Sequence, residues 1–153
     1  MNLYRGCTHG CIYCDSRSDC YQIKHTFEDI EIKENAIELL ETALRRKRNK
    51  CMIGTGSMTD PYMPLEEKIG MTRKAVETVY RYGFGFTVIT KSPLILRDLE
   101  LLRAVNKKAK CVVQMTLTTY NDKLCKILEP NVAVTSERFI VLKTLRDAGI
   151  PTI

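Results

Sequence analysis

Short apolar runs alternate with amphipathic stretches along this 153-residue chain. Five stretches have the length or the apolar spacing that predicts helices: residues 34–48, 71–82, 94–106, 121–128 and 135–148. Three runs rich in β-branched and other apolar residues predict buried strands: KCMIGTG (50–56), GFTVITK (85–91) and KCVVQMTLTT (110–119). Because strands and helices alternate with short connections, the pattern predicts right-handed βαβ units and a parallel sheet.

Each end of the chain adds one short strand to this prediction. MNLYRG (1–6) predicts a first strand, and IPTI (150–153) predicts the start of another directly after Gly149, a suitable C-cap for the preceding helix. The predicted fold class is therefore α/β with about four β/α units. An incomplete parallel (β/α) barrel and a flavodoxin-like open sheet both fit this order of elements.

Polar and glycine-rich segments follow the predicted strands. GTGSMTDPY follows the second strand, TKS the third and TLTT the fourth, while a cysteine-rich loop follows the first. Ligands of parallel β/α sheets bind at the carboxyl ends of the strands, where these loops converge. The sequence thus predicts that the four loops form one binding face.

Composition and charge narrow the classes of protein to which the chain can belong. With 44% hydrophobic and 27% charged residues, it is predicted to be globular rather than disordered or collagen-like. No apolar run approaches the roughly 18 residues of a membrane span, and the N-terminus lacks a signal-peptide core, so a cytoplasmic protein without a membrane partner is expected. The net charge of +6 permits a polyanionic partner such as nucleic acid without requiring one. The basic run RRKRNK (45–50) favours a solvated helix terminus.

Seven cysteines exclude a fully paired disulfide framework within one chain. Cys7, Cys11 and Cys14 have the spacing C-x3-C-x2-C, and Cys20 follows six residues later. Three thiolate ligands would leave one iron of a [4Fe–4S] cluster open to a small molecule, since such clusters ordinarily take four cysteines. A zinc site that recruits Cys20, a zinc site that recruits His9, and unligated thiols are the alternatives.

The cysteine spacing, with an aromatic residue before the last cysteine, resembles the signature of the radical SAM superfamily. Further blocks resemble its spore photoproduct lyase, or DNA repair photolyase-like, branch in the expected order: NLYRGCTHGCIYC, GTGSMTDPYMPLE, ITKSPLILRDLELL and LEPNVAVTSERFIVLKTLRDAGIPTI. The resemblance implies that residues 1–153 are a radical SAM core domain, the N-terminal part of a (β/α)6 partial barrel whose C-terminal units are missing.

The same resemblance implies two cofactors and a set of residues that bind them. Cys7, Cys11 and Cys14 would ligate a [4Fe–4S] cluster whose open iron binds S-adenosylmethionine (SAM). The residues implied to contact SAM are Tyr13 near the adenine, Gly54, Thr55, Gly56 and Ser57 near the methionine amino group, Lys91 and Arg138 at the carboxylate, and Thr116 near the ribose.

The implied activity is reductive cleavage of SAM to a 5′-deoxyadenosyl radical, which abstracts hydrogen from an unassigned substrate, with nucleic acid as one candidate. An electron donor such as flavodoxin or ferredoxin would be the partner. Two alternatives stay open at this point: a zinc-stabilised nucleic-acid-binding module without catalysis, and a truncated, inactive relative. His9 and Asp15 flank predicted ligands and are expected to orient them by hydrogen bonds.

Overall fold

The computed structural model describes residues 1–153. In chain order, its strands and α-helices are β1 (Tyr4–Arg5), β2 (Glu31–Ile32), α1 (Ala36–Arg46), β3 (Met52–Thr55), α2 (Leu65–Ile69), α3 (Met71–Tyr82), β4 (Gly85–Thr90), α4 (Leu99–Lys108), β5 (Cys111–Met115), α5 (Asp122–Leu128) and α6 (Thr135–Asp147). The alternation of strands and helices confirms the α/β class.

The centre of the fold is a parallel sheet in the order β3-β4-β5. Ile53 pairs with Phe86, and Phe86 pairs with Cys111, so the three strands begin at the same edge. Thr152 forms an isolated parallel bridge with Val113. This bridge confirms that IPTI starts a further strand on the far side of β5.

The first predicted strand exists, but it does not join the parallel sheet. Tyr4 pairs antiparallel with Ile32 of β2 instead. The chain turns away at Gly6, whose φ of +89° and close approach to Phe27 leave no room for a side chain: a Cβ there would lie 2.5 Å from the Phe27 carbonyl oxygen. The Cys7 amide then donates to that carbonyl at 3.0 Å, which fixes the start of the cysteine loop.

The hydrophobic core lies between the parallel sheet and the helices that cross it. Phe86, Val88 and Val113 supply the sheet side and are fully buried. Helix residues that pack on them include Val76 and Val79 of α3, Leu102 and Val105 of α4, and Val141 and Leu145 of α6. Since helix–sheet packing holds the strands in register, the loops at their carboxyl ends start from fixed positions.

The start of α4 differs from its predicted position, whereas the end of α6 agrees with it. The helix predicted from residue 94 begins at Leu99, because residues 93–98 form a 3-10 turn that buries the Asp98 carboxylate against Tyr62 and Arg73. Gly149 does terminate α6: its φ is +78°, and the Ile150 amide donates back to the Leu145 carbonyl at 3.0 Å. None of the helices is both long and apolar enough to cross a membrane.

Candidate functional site

A cleft of about 150 Å³ opens at the carboxyl edge of the parallel sheet. The cysteine loop forms one wall, and the segments that follow β3, β4 and β5 form the others. Of the residues predicted from sequence, the cleft is lined by Cys7, Cys11, Tyr13, Cys14, Gly56, Ser57, Lys91 and Thr116. Gly54, Thr55 and Arg138 do not line it. The fold therefore brings most of the predicted set together from four separate segments.

The three cysteines of the motif share this cleft, whereas the fourth cysteine of the segment does not. Cys7 and Cys11 are buried and Cys14 is half-buried, but Cys20 is exposed and lies outside the cleft. A zinc site that combines Cys20 with the other three is therefore not formed in this structure. No three His, Cys, Asp or Glu side chains converge at metal-ligand distances, so ligation by Cys7, Cys11 and Cys14 stays a prediction.

Burial disfavours the charged thiolate form of Cys7 and Cys11, so these side chains need a nearby positive charge, such as a metal, to become thiolate ligands. Burial raises the pKa of the Cys7 thiol, outweighing hydrogen bonds to the Asp60 and His9 backbone. It also raises the pKa of Cys11, although the nearby Lys91 ammonium acts in the opposite direction. Thiolates form readily in such surroundings only beside a cation or a metal. The donor set thus fits an iron–sulfur cluster.

Asp60 is a residue of the cleft that the sequence did not single out as functional, because Asp60-Pro61 resembles an ordinary turn. Its carboxylate is buried and accepts hydrogen bonds from Thr90 Oγ1 at 2.7 Å and from the Lys91 amide at 2.7 Å. Burial alone would raise the pKa of Asp60, but contacts with His9, Lys91 and Thr90 outweigh it and hold the pKa below its usual range. Asp60 therefore ties the end of β4 to the loop after β3.

His9 connects this carboxylate to the cysteine loop. Its ring is 4% exposed, and Nε2 lies 2.9 Å from Asp60 Oδ2, although the N–H is not aimed along a hydrogen bond. The contact places the ring against Asp60 rather than against a cysteine, and the orientation of the neighbouring ligands by hydrogen bonds from His9 stays a prediction. Asp15 also lines the cleft.

Gly56 is the position in the GTGS segment where only glycine fits. Its φ is +102°, and a Cβ there would lie 2.1 Å from the Ile89 carbonyl oxygen and 2.8 Å from the Ile89 nitrogen. The loop after β3 therefore lies directly against β4. By contrast, Gly54 is within β3 and its carbonyl accepts the Met1 amino group at 2.5 Å, while Thr55 is buried in the sheet.

Lys91 and Tyr13 face each other across the cleft. The Lys91 ammonium lies 5.8 Å from the centroid of the Tyr13 ring and 3.9 Å from Glu129 Oε1. Lys91 is within ion-pair distance of Glu129, but both distances exceed that of a hydrogen bond, so the ammonium can still donate to a bound anion. This arrangement suits the role that the resemblance implies for Lys91.

Arg138 lies behind the cleft rather than on its wall. The side chain is fully buried, and its donors are taken by Glu129 Oε2 at 2.5 Å, by the Thr116 carbonyl at 2.8 Å and by the Ala133 carbonyl at 2.7 Å. No donor is directed into the cleft, so the contact with the SAM carboxylate implied for Arg138 is not preformed. Glu129, the partner of Arg138, is a second residue beside the cleft that was not selected from sequence; it lies within the LEPNVAVTSERFIVLKTLRDAGIPTI block, but nothing in that block distinguishes it from an ordinary surface carboxylate.

Comparison with known proteins agrees with this geometry. The family described as the radical SAM superfamily matches residues 1–153. An uncharacterized protein of Methanocaldococcus jannaschii is 30% identical over 152 residues, which cover 98% of this chain and 56% of that protein. An uncharacterized protein of Mycobacterium tuberculosis is 26% identical over 163 residues, covering 98% of this chain and 46% of its own length. A spore photoproduct lyase variant with bound AdoMet and dinucleoside spore photoproduct has a TM-score of 0.72 at 13% identity, covering 99% of this chain and 43% of that one.

The fold and the cleft define an α/β protein with a three-cysteine loop at the carboxyl edge of a parallel sheet. The chain belongs to the radical SAM superfamily, because the family matches its whole length. The likeness to spore photoproduct lyase shows a shared fold. The chain spans about half the length of the curated relatives that it matches.

Proposed function

We propose that Cys7, Cys11 and Cys14 ligate a [4Fe–4S] cluster and that SAM binds at its open iron within the cleft. The observation that supports this most directly is the shared cleft: three thiols on one loop face residues from the ends of three parallel strands. When bound, these cofactors supply a 5′-deoxyadenosyl radical by reductive cleavage of SAM, and this radical abstracts hydrogen from the substrate. An electron donor such as flavodoxin or ferredoxin provides the reducing electron.

The residues of the chain bind and orient the cofactor in this proposal. Lys91 offers its ammonium protons to the methionine carboxylate, as a charge-assisted hydrogen bond. Ser57 and the Gly56 backbone meet the methionine amino group, and Thr116 contacts the ribose. The ring of Tyr13 covers the adenine. Gly54 and Thr55 act through the strand that carries the loop, since neither lines the cleft.

Anaerobic reconstitution with iron and sulfide tests the proposal. The expected product is a brown protein with about four irons per chain, which cleaves SAM in the presence of dithionite. A colourless protein that retains one tightly bound zinc would refute it and favour the zinc-module alternative.

Two cysteine variants form a matched pair for the same experiment. Cys14→Ala is expected to abolish cluster assembly, because Cys14 lines the cleft with the other two ligands. Cys20→Ala is expected to leave the iron content unchanged, because Cys20 is exposed and lies outside the cleft. Equal loss of iron in both variants would show that the ligand set is wrong.

Nucleic acid is the substrate class that we propose to test first, since a neighbour in fold was solved with dinucleoside spore photoproduct. The positive charge gives this choice little support, because much of it lies at the opposite edge of the sheet. Exposed basic residues gather where α1, α3 and α4 end and where β3 and β5 begin: Arg45, Arg46, Lys47, Arg48, Lys50, Arg81, Lys107, Lys108 and Lys110. The length of β4, about 20 Å, separates that edge from the cleft.

A further inference from the structure

A segment distant in sequence supports the cysteine loop. Residues 128–131, named here the LEPN segment, begin with the last residue of α5 and lead from it towards α6. The Leu128 carbonyl accepts the Ile12 amide at 3.0 Å. Asn131 holds the loop twice: its amide donates to the His9 carbonyl at 3.2 Å, and its side-chain Nδ2 donates to the Thr8 carbonyl at 3.0 Å. The backbone of the loop is thus fixed at three points from the far end of the chain.

Close packing reinforces these hydrogen bonds. Gly10, with a φ of +71°, lies over the LEPN segment, and a Cβ there would come within 3.0 Å of the Asn131 side chain and 3.2 Å of Pro130. The loop and the segment therefore fit together without space for a larger residue. This contact fixes the position of the cysteine loop before any metal is bound.

Within the LEPN segment, Glu129 meets three residues that the resemblance associates with SAM. Its Oε1 accepts the Tyr13 hydroxyl and lies 3.9 Å from the Lys91 ammonium. Its Oε2 accepts Arg138 Nη2 at 2.5 Å. Thr118 Oγ1 donates to Oε1 at 2.8 Å. One carboxylate therefore links the aromatic wall of the cleft, the lysine and the buried arginine.

The position of the Glu129 carboxylate is fixed by its buried ion pair with Arg138. Glu129 and Arg138 are both fully buried, and the guanidinium also donates to two backbone carbonyls and to Cys125 Sγ at 3.5 Å. A buried charge without its partner is strongly unfavourable, so each member of the pair confines the other. Glu129 consequently presents a fixed acceptor to the Tyr13 hydroxyl.

We propose that Glu129 is a positioning residue, which holds the Tyr13 ring against the wall of the cleft so that it can receive the adenine of SAM. The proposal rests on the proposed function and adds a residue to it. Without Glu129, the Tyr13 hydroxyl would keep only its contact with Thr118 Oγ1 at 3.0 Å, and Thr118 would itself lose its acceptor, so the half-exposed ring would be less confined. The expected consequence is weaker SAM binding with an intact cluster.

The first test removes only the hydroxyl. Tyr13→Phe keeps the aromatic face and leaves Glu129 paired with Arg138 and Thr118, so the variant is expected to fold and to assemble the cluster. Its SAM dissociation constant, followed through the SAM-induced change in the EPR signal of the reduced cluster, is expected to rise about two- to tenfold, the factor that corresponds to ordering one freed side chain when SAM binds. Tyr120→Phe makes the same chemical change at a 94% exposed tyrosine and should leave the constant unchanged.

The second test removes the acceptor without leaving a buried charge unpaired. Replacing both Glu129 and Arg138 by Met is tolerated in principle, because an apolar pair can substitute for a buried ion pair. SAM binding should weaken about as much as in Tyr13→Phe, and adding Tyr13→Phe to this background should cause no further loss. A full further loss, or unchanged SAM affinity in Tyr13→Phe itself, would overturn the proposal. A parent protein that binds no cluster would instead refute the proposed function.

The third test needs no cofactor. In the cluster-free protein, Asn131→Ala is expected to increase hydrogen exchange at the Ile12 amide, because it removes the support of the loop at Thr8. Asn106→Ala removes two side-chain hydrogen bonds, one to the Gly149 carbonyl and one from the Cys111 amide, and should still leave Ile12 protected. Equal protection of Ile12 in Asn131→Ala and the parent would contradict a supporting role for the LEPN segment.

Discussion

Gly56→Ala tests whether the loop after β3 lies directly against β4. Gly56 has a φ of +102°, which costs an L-residue about 1–2 kcal/mol. The added Cβ would also lie 2.1 Å from the Ile89 carbonyl oxygen and 2.9 Å from the Ile89 carbonyl carbon, and both belong to backbone that cannot swing aside. Overpacking of this kind costs roughly 1–3 kcal/mol, so the two effects together are expected to cost about 2–5 kcal/mol.

Gly70→Ala is the matched control for this substitution. Gly70 also has a positive φ, +66°, but a Cβ there would meet nothing within 4 Å. Gly70→Ala is expected to lower the free energy of unfolding only by the cost of the positive φ, about 1–2 kcal/mol. Both substitutions reduce the entropy of the unfolded chain equally, so the difference between them reports the overlap with Ile89.

Thermal or urea unfolding of the cluster-free protein measures this difference. At about 2–4 °C per kcal/mol for a chain of this size, Gly56→Ala should lower the midpoint by roughly 10 °C and Gly70→Ala by roughly 4 °C. Equal losses in the two variants would show that Gly56 and Ile89 are not in close contact. Since Gly56 lines the cleft, its displacement should also weaken SAM binding in the reconstituted protein, which Gly70→Ala should not do.

Three further outcomes are expected. Lys91→Met should raise the KM for SAM about 10- to 100-fold, the factor for a hydrogen bond to a charged group, and an unchanged KM would exclude Lys91 as the carboxylate partner. Alkylation of the native protein at pH 8 should label the exposed Cys20 and Cys51 first, whereas burial raises the pKa of Cys111 to about 12, so mass spectrometry should find Cys111 modified only after unfolding. Hydrogen bonds from Ser136 lower the pKa of Asp122; its contribution to stability is therefore present above the unfolded pKa and lost as pH falls through the lower folded value, an acid dependence that Asp122→Asn should remove.

The parallel sheet was predictable because its signals are local. Each of its strands is a short run of apolar and β-branched residues, and each predicted helix begins within a few residues of its expected position except at Leu99; the short α2 (Leu65–Ile69) was not predicted. The antiparallel pairing of Tyr4 with Ile32 had no such signal, since strand residues of MNLYRG are compatible with either partner. The turn at Gly6, which depends on a contact with Phe27, decides between them.

The site also contains residues that local sequence patterns predict and residues that depend on contacts between distant segments. The cysteines, Tyr13, Gly56, Ser57, Lys91 and Thr116 were predictable because they follow strands whose carboxyl ends meet at one edge. Asp60 was hidden by the turn signal of the proline after it. The position of Arg138 depends on Glu129, and two buried residues from different segments leave no pattern that a single sequence can display.

The location of the LEPN segment explains why the cysteine loop is ordered although it has few contacts of its own. Inside the loop, the Cys14 amide bonds to the Cys11 carbonyl at 3.3 Å, a weak and local interaction. Phe27 and Asp60 hold the start of the loop, whereas its middle, at Thr8, His9 and Ile12, is held by backbone and side-chain bonds from residues more than a hundred positions away, which depend on the positions of α5 and α6. A substitution that loosens α6, such as Val141→Ala in its buried face, should therefore increase hydrogen exchange at Ile12 as well as lower stability. Leu44→Ala on α1 is the control, because α1 does not contact the LEPN segment. Even where it lowers the stability by the same amount, it should leave Ile12 protected, because the loop is held by the α5–α6 side of the fold.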